Sequence, residues 1–158
     1  MQEPQLTNLL ATAVVPFSLP LGLVKAICFV ESSFNEYALR YEPGYKWLVG
    51  SEEKLTATER MGQMCSWGLM QLMGGVAREY GYTGDFPRLC VPEVNLNFGM
   101  MHVQKFYRKY QNWPDTIASY NAGRPVRIGA VYANQQYVDK VMTAWQWYEP
   151  DGRHAEGV

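Results

Sequence analysis

Residues 20–34 of this 158-residue chain read PLGLVKAICFVESSF. The apolar side chains recur with a helical period, and a proline stands at the start, so the stretch predicts an amphipathic helix over residues 20–32. Its apolar face is formed by Leu21, Val24, Ile27 and Cys28. Glu31 falls in the middle of that face, close to the C-terminal end of the helix. The position of this one carboxyl group is the most informative feature of the sequence.

Two effects act against a negative charge on Glu31. Burial among apolar side chains disfavours the carboxylate, and so does the negative end of the helix dipole. The sequence therefore predicts a raised pKa and a carboxyl group that keeps its proton near neutrality, as a general acid requires. The alternative is a structural glutamate that caps the helix, pairs with an arginine such as Arg40, or turns to solvent.

The rest of the chain is also mainly helical in its pattern. Amphipathic or proline-initiated segments predict helices over residues 5–16, from Pro92, from Pro114 to Gly123, and over residues 134–148. Residues 66–81 fit a helix too, but Gly74 and Gly75 weaken its middle, so the helix could begin only there. Residues 35–62 break the pattern and predict a long loop or a small hairpin. Within them, Thr56 and Glu59 have the spacing of a capping box for a short helix.

Composition narrows the classes of protein and partner. A chain of 18.1 kDa with 47% hydrophobic residues is expected to form one domain, over residues 1–149, with a polar, flexible tail at 150–158. The net charge of −1 gives no basic excess for a nucleic-acid partner. The apolar runs are too short for a membrane span. We expect a monomer.

The cysteines and histidines do not predict a metal site. Cys28, Cys65 and Cys90 are widely spaced and form no C-x-x-C pair, which favours buried thiols and leaves a single Cys65–Cys90 bridge open. His102 lies on a mostly apolar predicted helix, which is typical of a structural histidine. We therefore expect neither a metal nor another cofactor.

Three short blocks carry a family resemblance. ESSF at 31–34, SWGLMQ at 66–71 and ASYNAG at 118–123 resemble the signatures of the lytic transglycosylase (SLT) family, in that family's order. YVDKV at 137–141 is similar to the family's closing helix, so the resemblance covers about residues 20–145. The segment at 37–62 is longer than is usual for the family and resembles the longer variants carried by phages.

The resemblance implies a mainly α, lysozyme-like fold with a groove for the glycan strands of peptidoglycan. Glu31 matches the family's single catalytic acid. Gly68, Met70 and Gln71 would line the groove as an extended segment, against the helical pattern there, and Tyr120 and Asn121 would face the acid and the sugar. The substrate-binding residues expected on this basis are Ser33, Ser66, Gly68, Met70, Gln71, Tyr120, Asn121 and Tyr137. Ser33 and Ser66 could equally be capping residues.

The implied reaction cleaves the bond between N-acetylmuramic acid and N-acetylglucosamine without water and leaves a 1,6-anhydro end. Glycoside hydrolysis normally needs two carboxylates, and the candidates for a second one, Glu36, Glu42 and Asp85, lie in no motif. Two alternatives stay open: a lysozyme-type hydrolase on the same fold, and a non-catalytic wall-binding or virion-structural protein.

The N-terminal sequence MQEP lacks the positive start and apolar run of a signal peptide. We therefore expect synthesis in the cytoplasm. Delivery with a phage particle, or release at lysis, would then bring the protein to the cell wall.

Overall fold

The computed structural model describes residues 3–149, which are mainly helical, as the sequence predicted. Residues 3–30 and 100–149 form one compact unit, here called the terminal unit, and residues 31–99 form the other, the middle unit. The helices are α1 Glu3–Ala13, α2 Leu21–Ser32, α3 Ala57–Gln63, α4 Gly74–Glu79, α5 Pro92–Tyr110, α6 Trp113–Ala122 and α7 Gln135–Tyr148. The strands are β1 Leu39–Tyr41, β2 Cys65–Trp67, β3 Leu72–Met73, β4 Arg127–Ile128 and β5 Val131–Tyr132. The predicted tail at 150–158 lies outside the described residues, and the prediction of one domain over 1–149 stays a prediction.

In the terminal unit, the end of α7 caps the start of α2. The Gly22 backbone N–H donates to Glu149 Oε1 over 2.8 Å, and Trp145 Nε1 donates to Glu149 Oε2 over 2.7 Å. A carboxylate at a helix N-terminus satisfies a free N–H group and complements the helix dipole. A Cβ on Gly22 would lie 2.5 Å from the Glu149 side chain, so only glycine allows this approach.

Helix α6 begins at Trp113, one residue before the predicted start at Pro114, and ends at its C-cap Gly123, as the sequence predicted. Asn112 is its N-cap, with Oδ1 accepting from the Asp115 N–H over 2.9 Å. Gly123 closes the C-terminus in the left-handed region, at φ 76°. A hairpin follows, in which β4 pairs with β5 and the Tyr132 hydroxyl donates to the Asp115 carboxylate.

In the middle unit, a three-stranded antiparallel sheet of order β1-β2-β3 packs beside α3 and α4. Its core consists of Cys65, Trp67, Leu72, Ala77, Tyr82, Phe86 and Leu89. Arg78 holds α4 to α3 because its guanidinium donates twice to Glu59, over 2.8 and 3.0 Å. The same guanidinium lies 4.2 Å from the centre of the Phe86 ring. Thr56 caps α3 by accepting from the Glu59 N–H over 3.1 Å, which confirms the predicted cap.

The structure settles two alternatives that the sequence left open. Residues 66–73 form β2, a turn and β3, so the helix begins only at Gly74, the later of the two starts. The segment at 35–62 is largely irregular and contains the short strand β1 and most of α3. Its strand β1 pairs with β2, outside the segment, with Leu39 opposite Trp67 and Tyr41 opposite Cys65.

The environments of the three cysteines and of His102 are typical of structural side chains. All three cysteines are free thiols, so the Cys65–Cys90 bridge is absent. His102 is buried between the rings of Phe106 and Tyr120, at centroid distances of 4.8 and 5.3 Å. Burial, with a smaller effect of Lys105, lowers the pKa of His102 to about 3, so the imidazole is neutral near pH 7.

Candidate active site

Helix α2 ends in an unusual conformation at the ESSF block. Ser33 and Phe34, directly after the helix, both have left-handed backbone angles, with φ 51° and 61°. Such angles cost free energy in residues other than glycine and concentrate at functional sites. Glu31 stands one residue before the end of α2 and is half-buried.

The residues one turn before Glu31 on α2 are fully buried. Ile27 is 1% exposed and Cys28 is 0% exposed, so Glu31 continues an apolar face, as the sequence indicated. Arg40, the arginine considered as a structural partner for Glu31, forms its ion pair with Glu42. The predicted raised pKa of Glu31 stays a prediction.

The GLMQ residues form a tight turn between β2 and β3. Gly68 has φ 69°, and a Cβ there would lie 2.6 Å from Asn95 Nδ2. Gln71 is also left-handed, with φ 46°. Met70 is fully buried, and a Cβ on Gly99 would lie 2.4 Å from the Met70 sulfur. Gly68 and Met70 therefore shape the turn from inside the middle unit.

A buried amide that sequence reasoning missed holds this turn. Asn95, on α5, is 0% exposed. Its Oδ1 accepts from the Met70 N–H over 2.8 Å, and its Nδ2 donates to the carbonyls of Trp67 and Leu89 over 2.7 and 2.9 Å. The signal was available, because Asn95 is a polar residue directly before Leu96 on the apolar stripe of α5.

Ser66 and Gln71 are hydrogen-bonded inside the same block. The Ser66 hydroxyl donates to Gln71 Oε1 over 2.9 Å, and Gln71 Nε2 donates to the carbonyls of Ala38 and Gly68 over 3.1 and 3.0 Å. Both N–H groups of the Gln71 amide are thus used within the protein. These contacts connect the turn to the chain just before β1.

Ser32 joins the two blocks of the middle unit. Its hydroxyl donates to the Leu69 carbonyl over 2.7 Å, so the helix end that carries Glu31 is fixed to the GLMQ turn. The sequence singled out Ser33 instead, but Ser33 is exposed. Of the predicted site residues, the structure therefore places Glu31, Ser33, Ser66, Gly68, Met70 and Gln71 in the middle unit.

The remaining predicted residues lie in the terminal unit. Tyr120 is buried at 9% exposure with its ring edge against His102, whereas Asn121 is exposed. Asn134 donates from Nδ2 to Asn121 Oδ1 and to the Ala118 carbonyl, each over 3.0 Å. Tyr137, in the first turn of α7, is half-buried, and its backbone N–H donates to the Asn134 carbonyl over 2.9 Å.

A comparison with known protein families identifies the family of this chain. The family described as Transglycosylase SLT domain matches residues 10–140, which include every predicted site residue. The chain belongs to the transglycosylase SLT family. No curated protein and no solved structure matches it. Membership in the SLT family indicates lytic transglycosylase activity on peptidoglycan.

Residues 3–149 contain neither a metal-binding cluster nor a membrane-spanning helix. In that range, no three His, Cys, Asp or Glu side chains come together in a way that could hold a metal ion. None of the helices described there has the length and apolar content needed to cross a membrane.

Proposed function

We propose that the chain is a peptidoglycan lytic transglycosylase that cleaves the N-acetylmuramic acid-β-1,4-N-acetylglucosamine bond and leaves 1,6-anhydromuramic ends. Glu31 acts first as acid and then as base. The observation that carries this proposal is the Ser32–Leu69 hydrogen bond, since it fixes the Glu31 helix end to the GLMQ turn of an SLT-family chain.

In the first step, the Glu31 carboxyl group donates its proton to the bridging oxygen. The bond from that oxygen to C1 of the muramic unit breaks, and N-acetylglucosamine leaves with a 4-hydroxyl group. The carbonyl oxygen of the muramic acetamido group stabilises the cationic C1. The position of Glu31 at the end of a buried apolar face supports this role, because such surroundings favour the protonated acid.

In the second step, the Glu31 carboxylate removes the proton of the muramic 6-hydroxyl group, and O6 bonds to C1. The ring closes as a 1,6-anhydro sugar, Glu31 regains its proton, and no water is consumed. No second carboxylate is required. This agrees with Glu42 being paired to Arg40 and with Asp85 being exposed.

The family resemblance supports an assignment of substrate contacts within each unit. We assign Tyr120 and Asn121 to the acetamido group, and Tyr137 to the groove wall. Gly68, Met70 and Gln71 give the groove its backbone shape, with Ser66 supporting Gln71 and Ser33 beside the acid. The chain acts as a monomer.

Matched glutamine variants test the proposal. Glu31→Gln should lower the rate of glycan cleavage by about 10²–10⁴-fold, because the proton donor is lost. Glu36→Gln is the control, since Glu36 lies five residues further on and its carboxylate accepts the hydrogen bond that raises the pKa of Tyr37. Its rate should stay near wild type.

Product analysis separates the alternatives. Mass spectrometry of digested cell wall should show anhydro ends, whereas reducing ends would establish a lysozyme-type hydrolase. Undiminished cleavage by Glu31→Gln would remove Glu31 from the mechanism. A wild-type protein that binds the wall without cleaving it would be a wall-binding or virion-structural protein.

We further propose that the protein is phage-encoded and reaches the wall either with the particle or at lysis, on the basis of the long segment at 37–62. Mass spectrometry of purified particles and of cleared lysate distinguishes the two routes. Absence from both would contradict the proposal.

A further inference from the structure

The N-cap residue of α7 does not cap its own helix. Asparagine at an N-cap normally accepts a hydrogen bond from the second or third N–H group of that helix, as Asn112 does for α6. Asn134 occupies the N-cap position of α7 and makes no such side-chain bond. Its side chain is instead directed to α6, where Nδ2 donates to the Ala118 carbonyl and to Asn121 Oδ1.

The hydrogen-bond partners fix the orientation of the side-chain amides of Asn134 and Asn121. The Ala118 carbonyl can only accept, so the Asn134 atom that faces it has to be Nδ2, the donor. The same Nδ2 faces Asn121, whose nearer atom therefore has to be Oδ1, an acceptor. Asn121 Nδ2 consequently points away from Asn134 and offers its N–H groups on an exposed residue.

This arrangement uses the donor of Asn134 and leaves its acceptor unused. Asn134 Oδ1 is buried and has no hydrogen-bond partner among residues 3–149. A buried acceptor without a donor is unfavourable, and the capping bond of α7 is lost as well. Asn134 thus gives up a cap bond and directs its donor to α6, where one of its two partners is the exposed Asn121.

We infer that Asn134 is a positioning residue that turns the Asn121 amide so that Asn121 presents a donor to the substrate. The substrate group that this donor fits is an acceptor, the carbonyl oxygen of an N-acetyl group on the glycan strand. The inference rests on the proposed function, and it adds the polarity of the contact and the residue that sets it.

Activity variants test the positioning role. The substrate is soluble, uncross-linked glycan strand. Asn134→Ala frees Asn121, and Asn134→Asp reverses the Asn121 amide because a carboxylate at position 134 can only accept. Each should raise KM by about 3–10-fold, the effect of one hydrogen bond, with a smaller change in kcat.

Asn112→Ala is the matched control. It removes a working N-cap, so it should lower the Tm while leaving KM unchanged. Asn134→Ala should raise KM and leave the Tm unchanged. Equal KM values for Asn134→Ala, Asn134→Asp and the wild type would overturn the inference.

A further variant tests the donor itself. Asn121→Asp keeps the acceptor that faces Asn134 but replaces the outward NH₂ group by an oxygen. It should raise KM at least as much as Asn134→Ala, without loss of Tm. Strands with their N-acetyl groups removed lack the acetamido group that stabilises C1, so on these strands binding is measured as Kd. Wild type and Asn121→Ala should no longer differ in Kd there. A Kd difference as large as the one on acetylated strands would assign the contact to another acceptor and overturn the acetamido assignment.

Hydrogen exchange tests the contact without any activity. By NMR on the ¹⁵N-labelled protein, the Asn134 side-chain amide protons should exchange at least tenfold more slowly than those of exposed Gln146. Equal rates would overturn the inference even in an active enzyme. Slow exchange in a protein that leaves glycan strands uncut would keep the contact and refute the proposed function.

Discussion

The amide side chains of the GLMQ turn point into the protein, whereas the amide at the end of α6 is exposed. In the turn, Asn95 and Gln71 direct their amide groups to the protein's own backbone, and Asn95 is fully buried. At the end of α6, Asn121 is exposed and is held from one side only. One block of the SLT family thus fixes a backbone conformation, and the other presents a side chain. Variants in the first should change stability, and variants in the second should change substrate binding.

The largest loss of stability should follow removal of Asn95. Asn95→Leu would leave the Met70 N–H and the carbonyls of Trp67 and Leu89 buried without their partner, at a cost of about 3 kcal/mol or more in the free energy of unfolding. Urea denaturation measures it. Asn95→Asp keeps the acceptor for the Met70 N–H but removes the donor to the two carbonyls, so a loss equal to that of Asn95→Leu would show that the Met70 contact contributes little.

Gly68→Ala should give the next largest loss, about 2 kcal/mol. Alanine would have to keep the left-handed backbone angle of Gly68, and its Cβ would lie 2.6 Å from Asn95 Nδ2. Gly81→Ala is the control, because Gly81 has φ 83° but open space around its Cβ position. The difference between the two midpoints in urea isolates the steric part, and identical midpoints would contradict the close packing of the turn against α5.

The Glu59–Arg78 pair should make the middle unit sensitive to acid. The hydrogen bond from Arg78 lowers the pKa of Glu59 in the folded protein. Its contribution, about 1 kcal/mol, is therefore present above the pKa of the unfolded chain and is lost as the pH falls through the folded pKa.

Urea midpoints between pH 7 and pH 3 measure this contribution. The stability difference between wild type and Glu59→Gln should shrink as the pH falls. The comparison isolates Glu59 because the buried His102 titrates in both proteins. A difference that stays constant with pH would exclude the ionised pair as its source.

Ser32→Ala should have the smallest effect on stability, up to about 1 kcal/mol, since it removes one hydrogen bond. Its effect on cleavage should be larger in proportion, because the bond fixes the helix end that carries Glu31. Ser51→Ala is a suitable control, since Ser51 is exposed and makes no side-chain capping bond. A Ser32→Ala enzyme with wild-type kcat would show that the two blocks keep their positions without this contact.

The sequence predicted most helices because their signals are local. Pro92, Pro114 and Gly123 act on neighbouring residues, and the structure places helix ends at these positions or one residue away. The helical pattern did not predict the GLMQ turn, because Gln71 has a left-handed backbone angle that its residue type does not indicate. Strand β1 escaped because its partner lies about 26 residues away along the chain.

The candidate site was only partly predictable for a similar reason. The family blocks lead directly to Glu31, Tyr120 and Asn121, whose roles remain predictions. Asn95 and Asn134 lie outside every block, and their importance comes from contacts with distant residues. Asn134 in particular resembles an ordinary helix cap until the structure shows where its amide donates.

The hydrogen bond between Gly22 and Glu149 has a consequence for folding during translation. The helix that carries Glu31 donates a hydrogen bond at its start to the carboxylate of Glu149, near the far end of the described chain. During translation, α2 leaves the ribosome long before that carboxylate exists. A nascent chain that stops short of residue 149 therefore holds an incompletely anchored acid-bearing helix, which completes its N-terminal contact only after residue 149 has been made.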